Sequence, residues 1–178
     1  MRLISERDRG SERGPAATYA LTAAAVAAAA ALGAWAVDAD SAWYRELDKP
    51  AWQPPPEAFP AVWVPLYASI ALAGGRALNR THRYDRRRLA GSLAANLVLN
   101  SAWPWVFFRG RSPRAGVLAT LLLDASTAQL IRRVARSDAT AAASLAPYAA
   151  WCTFATALNV TIARGSAPGA APAPPLAG

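Results

Sequence analysis

Five apolar stretches run along the chain, at residues 16–37, 60–78, 89–108, 115–131 and 139–163, and polar or charged connections separate them. About 20 helical residues at ~1.5 Å rise cross ~30 Å of hydrocarbon, so each stretch is long enough, or nearly so, to span a bilayer. A soluble helical bundle would show a polar position at every third or fourth residue, whereas residues 18–37 hold no charged side chain at all. The pattern predicts an all-α fold, an integral membrane bundle of five transmembrane helices. The first stretch is alanine-rich and follows a charged start. Its apolar run exceeds the roughly 7 to 15 residues of a signal-peptide core, so it reads as a retained helix. Three regions result: a charged N-terminal segment at 1–14, the bundle at 15–164, and a tail at 165–178. Apart from Leu176 the tail is Ala, Pro, Gly and Ser, which bury too little surface to offset ordering, and it is expected to be disordered. No internal repeat stands out, which argues against the duplicated architecture of many secondary transporters.

Composition sharpens this picture mainly through charge. The 178 residues are 54% hydrophobic and 17% charged with a net charge of +8, which suits one domain and excludes a disordered chain. Of the 19 Lys and Arg, thirteen lie before the first stretch or in the second and fourth connections: Arg2, Arg7, Arg9, Arg13, Arg76, Arg80, Arg83, Arg86, Arg87, Arg88, Arg132, Arg133 and Arg136. The other six, Arg45, Lys49, Arg109, Arg111, Arg114 and Arg164, fall on the opposite side. The positive-inside rule then puts the N-terminus in the cytoplasm and the C-terminus outside a bacterial cell membrane. Arginines flanking helices suit insertion and anionic headgroups, and no basic stripe is interleaved with aromatic residues, so nucleic acid is not an expected partner.

The first connection is unlike the others. Residues 43–56 (Trp-Tyr-Arg-Glu-Leu-Asp-Lys-Pro-Ala-Trp-Gln-Pro-Pro-Pro) hold two tryptophans and four prolines. Proline fixes φ and removes a donor, so Pro50 and Pro54 to Pro56 stiffen the segment, while Trp43 and Trp52 bring large rings that need a packing surface. One reading is an ordered loop folded onto the helices it joins; the other is a linker whose tryptophans sit at the membrane interface.

Conventional site chemistry is sparse. His82 is the single histidine and Cys152 the single cysteine, so no metal site, no catalytic triad built on spacing and no intrachain disulfide is expected. No glycine-rich phosphate loop of known spacing occurs. Polar residues within the apolar stretches say more. Asn96 and Asn100 lie four apart on one helix face, continued by Trp103 and Phe107. These amides either bond between helices or face a cavity and orient a ligand edge. Asp124 is the one carboxylate near the middle of a stretch; it should face the interior, with Thr120 and Thr127 at helix-neighbour spacing as partners. In the last stretch Pro147, Trp151, Ala155, Leu158 and Asn159 share one side, and the small Ala155 leaves room either for a flat ligand or for tight helix packing.

Taken together these residues resemble the translocator protein family, also called the tryptophan-rich sensory protein or peripheral-type benzodiazepine receptor (TspO/MBR) family. The motif Trp-Tyr-x-x-Leu-x-Lys-Pro-x-Trp-x-Pro-Pro matches residues 43–55, Val-Trp-x-x-Leu-Tyr matches 62–67, and Leu-Asn-x-Ala-Trp-Pro matches 99–104 with Phe107 and Phe108 following. Pro-Tyr-x-x-Trp matches 147–151, and the later Leu-Asn matches Leu158 and Asn159. The resemblance covers roughly residues 17–164. It implies a usually dimeric five-helix bundle whose pocket is closed by the first loop. Gly91, Ala94 and Ala95 would permit close approach of a second copy. Family members bind protoporphyrin and related tetrapyrroles, and animal members also bind cholesterol and synthetic benzodiazepine ligands. By motif, the ligand-binding residues are Trp43, Trp52, Tyr67, Asn100, Trp103, Trp151, Ala155 and Leu158. The porphyrin is a ligand and no cofactor is implied. The role the resemblance implies is a sensor or regulator of tetrapyrrole level under stress. Because some members degrade porphyrin in light, a light-dependent porphyrin-degrading enzyme with Trp52 and Trp151 as candidate catalytic residues is one alternative, and a transporter of porphyrins or sterol-like lipids is another. Two departures stand out. The acidic residue many members carry early in the fourth helix falls on Ala119, with Asp124 five residues later. The sterol-recognition pattern wants a tyrosine after Leu-Asn where this chain has Val160, which disfavours cholesterol.

Overall fold

The computed structural model describes residues 14–166, and over them the chain is helical: α1 (Pro15–Ala36), α2 (Ala42–Arg45), α3 (Ala58–Arg80), α4 (Arg83–Pro104), a π-helical turn (Trp105–Arg109), α5 (Pro113–Ala135), α6 (Ala139–Ala143) and α7 (Ala146–Gly165). The charged segment before Gly14 and the tail beyond Ser166 lie outside the described residues. Five long helices account for the five apolar stretches, and α1 and α3 are long and apolar enough to cross a membrane by length and composition alone.

Local chemistry sets the boundaries. Pro15 and Pro113 sit in the first turns of α1 and α5, where a missing N–H costs nothing. Ser112 Oγ accepts from Ala115 N at the start of α5, and Asp138 Oδ1 accepts from Ala141 N at the start of α6. The last apolar stretch is not one continuous helix as expected. Pro147 in α7 would drive its ring against the carbonyl of residue 143, so the chain stops at Ala143, turns, and restarts at Ala146. Pro104 acts similarly. It cannot donate to the carbonyl of Asn100, and the chain beyond it widens into the π turn, closed by Gly110 N donating to Trp105 O at 2.8 Å. A side chain at Gly110 would place Cβ 2.5 Å from the Val106 carbonyl oxygen, so glycine is required there by space alone.

Packing runs α1 on α3 and α4, α4 on α5, and α5 on α7. Gly75 brings α3 so close to α1 that an added Cβ would lie 2.5 Å from the Tyr19 ring, and Thr22 Oγ1 of α1 reaches the Ala71 carbonyl of α3 at 3.2 Å. The distribution of polarity is that of a chain solvated by lipid. Asn96, Thr120, Thr127 and Asn159 are buried, while Leu32, Leu72, Val64, Val98 and Leu118 are each at least half exposed. Amides and hydroxyls find partners inside the bundle, and aliphatic side chains cover the outside. Gly91, Ala94 and Ala95 face outward on α4, uncovered by the rest of the chain.

Candidate functional site

The first connection is folded, not a tether. Ser41 caps the single turn of α2, its Oγ accepting from Tyr44 N. Lys49 then folds back over that turn: its Nζ donates to the carbonyls of Tyr44 (2.6 Å), Arg45 (3.0 Å) and Leu47 (3.1 Å), and lies 4.8 Å from the Tyr44 ring centre. A lysine collecting carbonyls at a helix C-terminus meets orphan acceptors and the negative end of the helix dipole together. Gln53 Nε2 donates to the Tyr44 hydroxyl at 3.2 Å. Burial pushes the Tyr44 phenol above its ordinary pKa, and the Gln53 contact opposes that shift.

The loop packs against the π-helical turn that continues α4 and against α7. Trp43 meets Phe107 edge-on at 5.5 Å, Tyr44 meets Phe108 at 5.2 Å, and Trp103 stacks on Phe107 at 5.4 Å, with Leu158 and Ile162 of α7 filling beneath. A second group forms where Trp52 meets Phe154 edge-on at 5.7 Å, Trp151 stacks on Phe154 at 5.1 Å, and Phe59 of α3 meets Trp151 at 5.9 Å. Such edge-to-face and offset-stacked pairs add about 0.5–1.5 kcal/mol each beyond their buried area. The end of α7 also touches the loop, since a side chain at Gly165 would meet Asp48 at 2.9 Å.

Below the rings lies a relay of interhelical hydrogen bonds. Tyr67 OH donates to Asn100 Oδ1 (2.9 Å), Asn100 Nδ2 donates to the Tyr148 hydroxyl (3.3 Å), Tyr148 OH donates to Asn96 Oδ1 (2.9 Å), and Asn96 Nδ2 donates to Thr127 Oγ1 (2.9 Å). The chain ties α3, α4, α5 and α7 together. Trp103 Nε1 donates to Asn159 Oδ1 at 3.2 Å, and Asn159 Nδ2 in turn to the Ala155 carbonyl at 2.8 Å.

Eight residues were expected to line the site, and the fold gathers them at one end of the bundle. Trp43, Trp103 and Leu158 belong to the first ring group, Trp52 and Trp151 to the second. Tyr67 and Asn100 bond to each other, and Ala155 lies between Trp151 and Asn159 on α7. Sequence reasoning missed Phe154, which joins Trp52 to Trp151, and Phe59, which packs on Trp151; Phe154 is three residues from Trp151, a helix-neighbour spacing that could have revealed it. It also missed Tyr148 as the centre of the relay. One expectation is corrected. Asp124 is partnered by neither Thr120 nor Thr127: Thr120 Oγ1 donates to the Val117 carbonyl and Thr127 Oγ1 accepts from Asn96, while Thr156 of α7 donates to Asp124 Oδ2 at 2.7 Å. The other oxygen, Oδ1, is buried without a partner among the described residues.

A bundle of this architecture, with a tryptophan-bearing first loop seated on α4 and α7, defines a class of small helical membrane proteins. Residues 21–164 match the TspO/MBR family, and the chain belongs to it. It is 34% identical over 121 residues to the "Tryptophan-rich protein TspO" of Chlorobaculum tepidum, covering 67% of this chain and 77% of that protein. It is 30% identical over 124 residues to the human "Translocator protein", covering 68% and 73% respectively. The "Tryptophan-rich sensory protein" of Cereibacter sphaeroides is 30% identical over 122 residues, covering 68% and 75%. The chain is therefore a multi-pass integral membrane protein of this family.

Proposed function

We propose that the protein binds a protoporphyrin-like tetrapyrrole at its aromatic end, between the first loop and helices α3, α4 and α7, and serves as a sensor or regulator of tetrapyrrole level. The observation that carries this reading is the convergence of Trp43, Trp52, Trp103 and Trp151 from three separate elements onto two adjoining ring groups, above the Tyr67–Asn100 pair. A tetrapyrrole offers a wide π-face to such rings, and its propionates suit arginines near the helix ends. Entry requires the loop to part from α7 at the Trp52–Phe154 contact. Trp52 is 49% exposed, which makes it the ring most readily displaced. The names its relatives carry, sensory protein and translocator protein, support sensing first and translocation second.

Protoporphyrin should quench tryptophan fluorescence saturably in the dark, and Trp52→Ala should weaken binding by about 1–3 kcal/mol without unfolding the half-exposed loop position. Absence of saturable quenching by the wild-type protein overturns the assignment. Illumination of the same samples separates binding from chemistry. Photodegradation needs a redox-active side chain beside the excited ring, so Trp52→Phe or Trp151→Phe would slow loss of the porphyrin band while affinity is kept. Equal bleaching with wild type and variants leaves a binding protein.

A further inference from the structure

The opposite end of the bundle carries a concave feature. A cleft of about 250 Å³ opens between the end of α3, the start of α4 and the end of α5, and its walls include Arg80, His82, Asp85, Arg88, Arg133 and Arg136. It is remote from the aromatic end, because each long helix that contributes to both does so from opposite termini. Four guanidinium groups against one carboxylate is a strong local imbalance. Arg80 is already held by Asp138, which it shares with Arg76, and Arg88 donates to the Tyr84 hydroxyl. Arg133 and Arg136 make no ion pair among the described residues, and Arg133 Nε is buried without a hydrogen-bond partner there. Neighbouring cations repel, and one anion in the cleft relieves that repulsion.

The surrounding backbone fits the same ligand. His82 is the N-cap of α4 and gives no side-chain cap, so the first turn of that helix, whose His82 and Asp85 line the cleft, has no side-chain acceptor from its N-cap. Arginine presents a planar fork matched to tetrahedral oxyanions, and a basic recess where helices leave the hydrocarbon lies at headgroup depth. We propose that this cleft binds a phosphate-bearing anion, held chiefly by Arg133 and Arg136, supplied either as the headgroup of an anionic lipid or as free phosphate. The proposal is independent of the tetrapyrrole reading.

The full-length protein in mild detergent would be titrated with dioctanoyl phosphatidylglycerol, dioctanoyl phosphatidylcholine and inorganic phosphate, with binding followed by native mass spectrometry and thermal shift. The anionic lipid or phosphate should bind saturably, the zwitterionic lipid about tenfold more weakly, and Arg133→Gln/Arg136→Gln should lose about tenfold in affinity. Arg87→Gln/Arg132→Gln lowers net charge equally but lies outside the cleft, and should retain binding. Tighter binding of phosphatidylglycerol than of phosphate identifies the headgroup as source; equal binding, with phosphate displacing the lipid, identifies free phosphate. Equal losses in both double variants would reduce the effect to bulk charge and overturn the site, as would no loss in either. Arg136→Gln alone, at an exposed helix cap, covers the case in which the double variant fails to fold, and must itself weaken binding.

Discussion

The two ends of this bundle are built by opposite means. At the aromatic end the connection is long and held by ring contacts: Trp43 and Tyr44 pack onto the core they cover, and Trp52 rests half-exposed on Phe154. At the arginine end the connections are short, and order comes from charge: Asp138 is 5% exposed, caps α6 and bonds to both Arg76 and Arg80. Apolar contact is non-directional and lets a loop part and reseat, whereas a caps-and-ion-pairs joint has one geometry. On the proposed reading the loop end is the part that moves and the arginine end is the fixed frame.

The sharpest way to break that contrast is Phe107→Ala. Phe107 is 2% exposed and contacts Trp43, Tyr44, Trp103 and Phe108, so its removal should cost about 3–5 kcal/mol. Trypsin cleavage after Arg45 should accelerate, because the loop loses the ring on which it rests. Unchanged cleavage and an unchanged melting temperature would show that the polar ties of Lys49 and Ser41 hold the loop without the rings.

Between the ends, Tyr148→Phe tests the relay. The substitution keeps the ring but removes a hydroxyl that donates to Asn96 and accepts from Asn100, leaving two buried amide groups short of a partner. The expected loss is about 1–2 kcal/mol, since interhelical hydrogen bonds in membranes are individually modest. Thermal unfolding in detergent measures it; a loss comparable to that of Phe107→Ala would move the centre of stability from the rings to the relay.

Much of this contrast was legible in the sequence, and the reasons are local. The stiff prolines and paired tryptophans of residues 43–56 left an ordered loop as one of two readings, which the ring contacts decide, and the absence of charge over 18–37 pointed to a membrane helix. The spacing of Asn96, Asn100, Trp103 and Phe107 put them on one face, as the structure bears out by their shared neighbours on α7. What stayed hidden depends on which helix lies opposite. Asp124 has two threonines at helix-neighbour spacing, yet its partner is Thr156, thirty-two positions away, and periodicity within one helix carries no information about that. The restart at Ala146 and the π turn after Pro104 were hidden for a different reason. A proline inside an apolar run can be absorbed, as Pro65 is within α3, or can end the helix, as Pro147 does, and packing decides between them.

The smallest expected effect lies at the arginine end. Asp138→Asn keeps an oxygen to cap α6 but discards the charge that holds Arg76 and Arg80, whose side chains are 43% and 54% exposed and therefore well screened. At neutral pH the melting temperature should fall less than in either variant above. The pH dependence carries the information. The backbone N–H of Ala141, then Arg76, hold the Asp138 carboxyl below its ordinary value, so its stabilisation is fully present above the unfolded carboxylate pKa of about 3.9 and is lost as pH falls through the lower folded value. The gap between wild type and Asp138→Asn should thus be flat from about pH 5 to 8 and close in stronger acid. A gap that instead varies between pH 5 and 8 would mean that a group titrating near neutrality governs this end, and would remove the ion pairs of Asp138 as the basis of its rigidity.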